Sequence, residues 1–153
     1  MLSIAQHKVN TVTHLLNGTV SSLQKTIPLN LDIEKPRLLE TPLKMIFGVL
    51  VGITGDFKGK LVLSGEPGVF SIIGEAMFGM PLDGDMLPSF SGELGNMIAG
   101  RLSTSIYEDG IKTDITSPTI MQGDTTISGF KSAVHLSASF ESAGKMEIHL
   151  LLD

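Results

Sequence analysis

The first 25 residues carry apolar side chains at spacings of three and four, the pattern of one face of an α-helix. Gly18 weakens the middle of this pattern, because a glycine in a helix costs about 1 kcal/mol relative to alanine. Pro28 marks the end of the helical pattern. We therefore predict a helix over residues 2–25. Its apolar face consists of Leu2, Ala5, Val9, Val12, Leu16, Val20 and Leu23.

The next segment has the pattern of β-strands. Residues 29–33 alternate between apolar and polar, and Pro36 confines this segment to an edge or a bulge of a sheet. Residues 43–53 are almost continuously apolar and rich in β-branched side chains, which predicts a central strand. The glycine-containing turn at 55–59 makes residues 60–63 the hairpin partner of that strand.

Two more helices and three more strands are predicted in the rest of the chain. Pro67 suits the first turn of a second helix, and a third helix is expected from about Ser89 to Tyr107. Residues 79–88 and 117–129 are interpreted as loops. The remaining strands are predicted over 112–116, 132–140 and 146–152.

The resulting order, α-β-β-β-α-α-β-β-β, is typical of an α/β (α+β) two-layer sandwich in which helices pack on an antiparallel sheet. The order is also compatible with two similar halves. A chain of 153 residues is long enough for one domain with its own core, so we expect residues 1–153 to form a single domain.

Composition narrows the range of functions. Sixteen acidic and eleven basic residues give a net charge of −5 without a basic cluster, a poor match for nucleic acid or an anionic membrane. Cysteine is absent, which excludes disulfides, thiolate nucleophiles and cysteine-ligated zinc. The longest apolar stretch, from Met45 to Ile53, is far short of the roughly 20 residues that span a membrane. The N-terminus lacks the features of a signal peptide, so we expect a cytoplasmic protein.

The third helix has an outer face that differs from an ordinary solvated one. A helical wheel separates a core side from an outer side. The core side consists of Phe90, Leu94, Met97, Ile98 and Leu102. The outer side consists of Ser89, Glu93, Asn96, Gly100 and Tyr107. An ordinary solvated face would carry several Lys, Glu and Arg, whereas this one has a single carboxylate, a carboxamide and a glycine.

Glycines are frequent in the same helix. Gly92, Gly95 and Gly100 each cost about 1 kcal/mol relative to alanine. A glycine allows another backbone to come close. We attribute some of them to packing on the sheet, and Gly100, on the outer side, to a partner surface.

The Glu93 and Asn96 pair has two interpretations. A carboxamide donates and accepts hydrogen bonds, so Asn96 could orient a water for in-line attack on a phosphoryl group, a reaction that depends on positioning and charge stabilisation. Glu93, one turn away, could pair with a cation on a partner. The other interpretation is a plain exposed Glu and Asn without a role.

The motif Ser89-x-x-x-Glu93-x-x-Asn96-x-x-x-Gly100 resembles the signature of the CheC/CheX family of chemotaxis phosphatases. The length, the element order and the glycine-rich hairpin before the helix pair are also similar to that family. The resemblance implies a phospho-aspartyl response-regulator phosphatase, a hydrolase whose substrate is the phosphorylated response regulator CheY in chemotaxis or a related two-component signal.

The resemblance also implies roles for individual residues. Asn96 would enter the regulator's active site and position the hydrolytic water, and Glu93 would contact the regulator's lysine. Ser89 and Gly100 match the flanking positions and would support helix geometry and approach. Magnesium is implied on the regulator, with no cofactor or metal bound by this chain.

A single intact motif resembles the CheX type, which implies a homodimer, and a sheet edge is a reasonable surface for it. Aligning His7-x-x-Asn10 with Glu93-x-x-Asn96 gives an offset of 86 residues, but His7 stands where glutamate is expected. This repeat is weak, and it leaves open whether Asn10 is a vestige of a second site or a packing residue.

Other chemistry-bearing residues receive structural interpretations. His7 and His14 lack the i, i+4 spacing of a helical metal pair. His135 and His149 fall on the polar faces of the last two strands, so we expect them to be solvated. The eight methionines are interpreted as core filling.

The alternative function is a non-catalytic adaptor of the same fold that binds a receiver domain or a flagellar switch component. The intact pair of Glu93 and Asn96 favours the enzyme over the adaptor. The two functions predict different results for Asn96→Ala, because only an enzyme would lose turnover.

Overall fold

A computed structural model describes residues 4–39 and 41–153, which form three helices and eight strands. The helices are α1 (Ile4–Thr26), α2 (Pro67–Phe78) and α3 (Met86–Tyr107). The strands are β1 (Leu31–Ile33), β2 (Arg37–Leu39), β3 (Leu43–Gly55), β4 (Gly59–Gly65), β5 (Thr113–Ile115), β6 (Thr119–Ile127), β7 (Ser132–Phe140) and β8 (Gly144–Leu152). Within these described residues, no helix is long and apolar enough to cross a membrane.

All eight strands belong to one antiparallel sheet, and the helices cover one of its faces. The order across the sheet is β1-β7-β8-β4-β3-β5, with β2 pairing with β7 and β6 pairing with β3. The main core lies between the helices and this face, and includes the fully buried Phe70, Leu94 and Ile98. The predicted two-layer α/β sandwich is therefore confirmed.

α1 packs closely against α3, and Gly18 lies at their contact. A Cβ atom at Gly18 would lie 2.8 Å from Leu102 Cδ1, so the residue that weakens the helical pattern is the one that permits the approach. Ser22 Oγ donates a 2.8 Å hydrogen bond to the carbonyl oxygen of Ile98. α1 therefore supports α3 along one flank.

The predicted element order is wrong in two places, and one boundary shifts. Residues 117–129, interpreted as a loop, contain β6, and β2 is an additional strand, so four strands follow α1 and four follow α3. α3 begins at Met86, because Pro88 lies in the first turn, where its missing N–H has no partner to lose. The expected start of α1 at residue 2 lies outside the described residues.

The prediction of a loop over residues 117–129 is wrong for a physical reason. Most side chains of β6 are exposed, so the strand lacks the regular apolar alternation that identifies one. Gly123 adopts a φ of 89° and, with the neighbouring Asp124, reads as a turn. The strand is held instead by its ladder with β3, whose register shifts between Met45 and Phe47.

The two halves of the chain have the same topology. β1 and β2 pair with β7, as β5 and β6 pair with β3, and β4 pairs with β8 at the centre of the sheet. Val49 pairs with Leu63 in one hairpin and His135 with His149 in the other, so corresponding residues are 86 positions apart. This is the offset between Asn10 and Asn96, which places α1 and α3 in corresponding positions.

The opposite face of the sheet has a smaller core beside a pair of stacked histidines. His149 is 4% exposed, and its ring lies parallel to that of His135 with the centroids 4.5 Å apart. His135 Nε2 contacts Glu147 Oε2, and Ser137 Oγ donates to Glu147 Oε1. The expectation that both histidines are solvated is therefore wrong. The buried apolar members of this second core are Leu43, Met45, Val62, Ala133 and Leu151.

The buried His149 makes the stability of the fold depend on pH. Burial, and secondarily the neighbouring His135, lower the pKa of His149 from 6.5 to about 4. The unfolded chain then binds this proton more readily than the folded one. Unprotonated His149 therefore makes a pH-dependent contribution of about 3 kcal/mol to the free energy of unfolding. This contribution is fully present above pH 6.5 and is lost progressively as the pH falls toward 4.

We predict that His149→Gln reduces the loss of unfolding free energy between pH 7 and pH 4 relative to wild type, because glutamine binds no proton. Denaturant unfolding across this range measures the effect, and the comparison between variants removes the share due to carboxylates. Gln122→Ala, at an exposed residue of β6 that binds no proton, is the control and should keep the wild-type pH profile. Parallel profiles for wild type and His149→Gln would contradict the prediction.

Candidate functional site

α3 presents an exposed stripe between two flanks that the fold holds in place. Ser89 and Glu93 are exposed, and Asn96 and Gly100 are partly exposed on the same side of the helix. Tyr107 ends the stripe and is 62% exposed. The predicted outer side of the third helix is therefore the surface that the structure leaves open.

Hydrogen bonds on both sides fix how α3 is rotated. On one flank, Arg101 Nη1 donates to the carbonyl oxygen of Lys25 on α1, at 3.1 Å. On the other flank, Ser103 Oγ donates to the carbonyl oxygen of Thr113 on β5, at 3.0 Å. These contacts and the buried inner side leave the stripe facing outward.

Glu93 and Asn96 are free to engage a partner. Across residues 4–39 and 41–153, neither side chain takes part in a hydrogen bond or an ion pair. Their spacing of three residues on a helix brings the two Cβ atoms about 5–6 Å apart. A carboxylate and a carboxamide are therefore presented side by side, one able to bind a cation and the other able to donate and accept hydrogen bonds.

The described side chains do not assemble a metal centre. No group of three or more His, Asp or Glu in the described ranges is placed to hold a metal ion. His14 Nδ1 lies 3.1 Å from Asp109 Oδ2, so its near neighbour is a carboxylate after the end of α3. The side chain of His7 lies outside the described residues.

The three glycines of α3 divide between internal packing and the open face. A Cβ at Gly95 would lie 2.6 Å from Val49 Cγ1, and one at Gly92 would lie 3.0 Å from Ile120 Cδ1. At Gly100 the nearest atom would be Ile115 Cδ1 at 3.9 Å, an ordinary contact. Packing within the chain therefore explains Gly92 and Gly95 but does not require a glycine at Gly100.

Residues 47–141 match the family described as chemotaxis phosphatase CheX. The chain belongs to the CheX family. It is 31% identical over 147 residues to the CheY-P phosphatase CheX of Thermotoga maritima, covering 89% of this chain and 94% of that protein.

Solved structures share the fold of this CheX-family chain. CheX from Desulfovibrio desulfuricans superposes with a TM-score of 0.77 at 20% identity, over 92% of this chain and 97% of that one. CheX in a complex with CheY, BeF3 and Mg²⁺ from Borrelia burgdorferi also gives 0.77, at 21% identity, over 92% and 96%. These likenesses confirm the expected CheX-like fold.

Sequence reasoning missed a group of exposed apolar residues at the N-terminal end of the stripe. Met80 and Met86 are 52% and 47% exposed, so interpreting all methionines as core filling is wrong. Phe78, at the end of α2, is 55% exposed. The available signal was the spacing of Met86, which lies seven residues before Glu93 and therefore on the same side of α3.

Alanine substitutions at Gly95 and Gly100 test whether packing within the chain requires a glycine at each of these positions. We expect Gly95→Ala to destabilise the fold by about 1–2 kcal/mol, because overpacking against the buried Val49 outweighs the gain in helix propensity. Gly100→Ala should instead stabilise it by about 0.5–1 kcal/mol, since its methyl group meets only an ordinary contact. Chemical denaturation of both variants measures the difference. Equal destabilisation by the two would contradict the assignment of Gly100 to an open surface.

Proposed function

We propose that this chain is a phosphatase that accelerates hydrolysis of the aspartyl phosphate of a CheY-type response regulator, ending a chemotaxis or related two-component signal. The observation that carries the proposal is the unpartnered pair of Glu93 and Asn96 on the open stripe of a CheX-family chain. Neither side chain forms a hydrogen bond or an ion pair within the described residues, so the fold leaves both polar groups available to a partner.

Asn96 is the residue that we assign to the reacting water. Its carboxamide accepts a hydrogen bond from the water and holds the water oxygen in line with the phosphorus and the aspartyl oxygen. The water oxygen bonds to phosphorus as the bond to the aspartyl oxygen breaks, which yields inorganic phosphate and a free aspartate. Phosphoryl transfer proceeds through a loose transition state, so positioning is the main contribution required of the protein.

Glu93 is assigned to anchoring the regulator. Its carboxylate pairs with the regulator's lysine, which places Asn96 over the phosphoryl group one helical turn away. Magnesium belongs to the regulator in this proposal, where it neutralises charge on the phosphoryl oxygens. Ser89 and Gly100 support the approach, because their small side chains leave room for the partner backbone against α3.

The adaptor function is the less favoured alternative. An adaptor needs an exposed surface but has no use for a carboxamide held free beside a carboxylate. The site geometry therefore favours the enzyme, and turnover separates the two functions directly.

Variants of the two motif residues test the enzyme. Phosphate release from a phosphorylated CheY-type receiver domain with Mg²⁺ is followed for wild type, Asn96→Ala and Glu93→Ala. We expect Asn96→Ala to lose about 100-fold or more in kcat with receiver binding retained, because only water positioning is removed. Glu93→Ala should raise KM about fivefold, the scale of one exposed ion pair.

Asn10→Ala provides a matched control, because this exposed residue occupies the corresponding position on α1. It should leave kcat and KM unchanged. No acceleration by wild type on any receiver domain of the same organism would support the adaptor. Loss of turnover in Asn10→Ala with full activity in Asn96→Ala would move the site to α1.

We also propose that the protein is cytoplasmic and forms a homodimer. The support for the dimer is a sheet edge. Among the described residues, the nine-residue β6 pairs only with β3, which leaves one side of its backbone available to a second chain. Light scattering coupled to size exclusion should give twice the 16.3 kDa of one chain. A mass of one chain across micromolar concentrations would contradict the dimer.

A further inference from the structure

Large apolar side chains are concentrated beside the motif. Phe78, Met80 and Met86 lie within nine residues of one another and are each about half exposed. The described chain has seven exposed large apolar residues, so nearly half of them lie at this connection between α2 and α3. We call these three residues the apolar patch. Solitary exposed apolar side chains are ordinary, whereas a cluster marks a contact surface.

The fold holds the apolar patch in a defined conformation. The Phe78 ring packs edge-on against Phe90, with the centroids 5.5 Å apart and the planes at 89°. Leu82, in the middle of the connection, is 7% exposed. It sits so close to α2 that a Cβ at Gly74 would lie 2.0 Å from Leu82 Cδ1. The connection is therefore tethered inward at Leu82, and binding at the patch would order little additional chain.

The patch is continuous with the candidate site. Met86 precedes Glu93 by seven residues, so it lies on the same side of α3 and about 10 Å away along the axis. Ser89 stands between them and is exposed. The six residues of α3 between Met86 and Glu93 carry no charge.

A receiver domain seated on the motif would reach the patch. A stable interface covers roughly 800 Å² on each partner, which corresponds to a disc of about 16 Å radius. Centred between Glu93 and Asn96, such a disc includes Met86 at about 13 Å along the axis and stops short of Tyr107 at about 19 Å. Met86 therefore lies inside the footprint, and Phe78 packs on Phe90, which is one turn from Met86 on the same helix.

The motif alone offers little affinity. An exposed ion pair contributes about 0.2–1 kcal/mol, and Asn96 is reserved for a water. Interfaces obtain most of their affinity from a few buried anchors, often large apolar side chains that fill a pocket on the partner. Some other part of the footprint must therefore hold the two proteins together.

We propose that the apolar patch is the anchor of the receiver domain, binding an apolar surface beside its phosphorylation site. The proposal rests on the proposed function for the identity of its occupant, a CheY-type receiver domain. Phe78 and Met86 set the affinity for the receiver, whereas Asn96 sets the rate of hydrolysis. The two groups of residues therefore have separable effects on KM and kcat.

Binding and turnover are measured separately to test this division. The probe for binding is a CheY-type receiver domain of the same organism, loaded with beryllofluoride and Mg²⁺, titrated calorimetrically. The Phe78→Ser/Met86→Ser double variant should raise Kd at least tenfold and leave kcat at saturating receiver within about twofold. Asn96→Ala should show the reverse, with Kd unchanged and kcat lost.

Two controls separate a lost anchor from a damaged fold. Met86→Leu keeps an apolar side chain and should bind like wild type. Leu38→Ser removes a large apolar side chain that is 74% exposed, from β2 at the opposite edge of the sheet, and should also bind like wild type. Thermal unfolding of each variant verifies that the fold is intact, as expected for exposed positions.

Each outcome decides the proposal. Weaker binding by the double variant with both controls unaffected supports it, whether or not wild type hydrolyses the phosphate. Wild-type Kd in the double variant overturns the anchor while leaving the phosphatase intact. Binding of the receiver without hydrolysis in wild type removes the proposed function but keeps the anchor. Failure of wild type to bind any activated receiver overturns both.

Discussion

The close approach of α3 to β3 is the contact on which the site depends. Gly95 has no Cβ, and the helix therefore lies directly on Val49, at a distance that any other residue would prevent. The approach fixes both the height of α3 above the sheet and its rotation. A helix that is rotated by one residue would turn Glu93 and Asn96 by about 100°, toward the flanks. Gly92 and Gly95 thus lower the helix propensity of α3, and in return they allow the close packing that fixes its orientation on the sheet.

Because other contacts fix the position of α3, the side chains on its outer face contribute little to the stability of the fold. The core side is buried and the flanks are bonded to α1 and β5, so Glu93 and Asn96 need not stabilise anything. Such freedom suits a protein whose reaction is completed by its partner. The regulator would bring the phosphorylated aspartate, the lysine and the metal ion, and this chain would add one positioned carboxamide. The rigidity of the scaffold limits how far that carboxamide can stray from the line of attack.

The sequence predicts this helix better than it predicts the sheet edges. The apolar period of α3 assigns Phe90, Leu94, Ile98 and Leu102 to the core, because a helix that packs on a sheet must bury one side. Met97, assigned to the same side, is only partly buried. β6 is not predicted because most of its side chains are exposed and show no apolar alternation, so backbone pairing is what holds the strand in the sheet. The prediction that His149 is solvated is wrong because alternation along the strand places it on the polar face, whereas His135 and the neighbouring strands cover it. The apolar patch depends on the α2–α3 connection, whose path no periodicity describes.

α1 and α3 occupy corresponding positions but carry different residues around their asparagines. Asn10 corresponds to Asn96 and is exposed, so a carboxamide alone does not distinguish the halves. His7 replaces the carboxylate at Glu93, and His14 replaces the small residue at Gly100. The His14 side chain, which lies 3.1 Å from Asp109 beyond the end of α3, therefore occupies a position at which α3 has no side chain. A partner that needs a carboxylate, a free carboxamide and room for its backbone finds all three on α3 and only the second on α1. The repeat in the fold therefore supplies two helices in equivalent positions, and the residues around the two asparagines distinguish them.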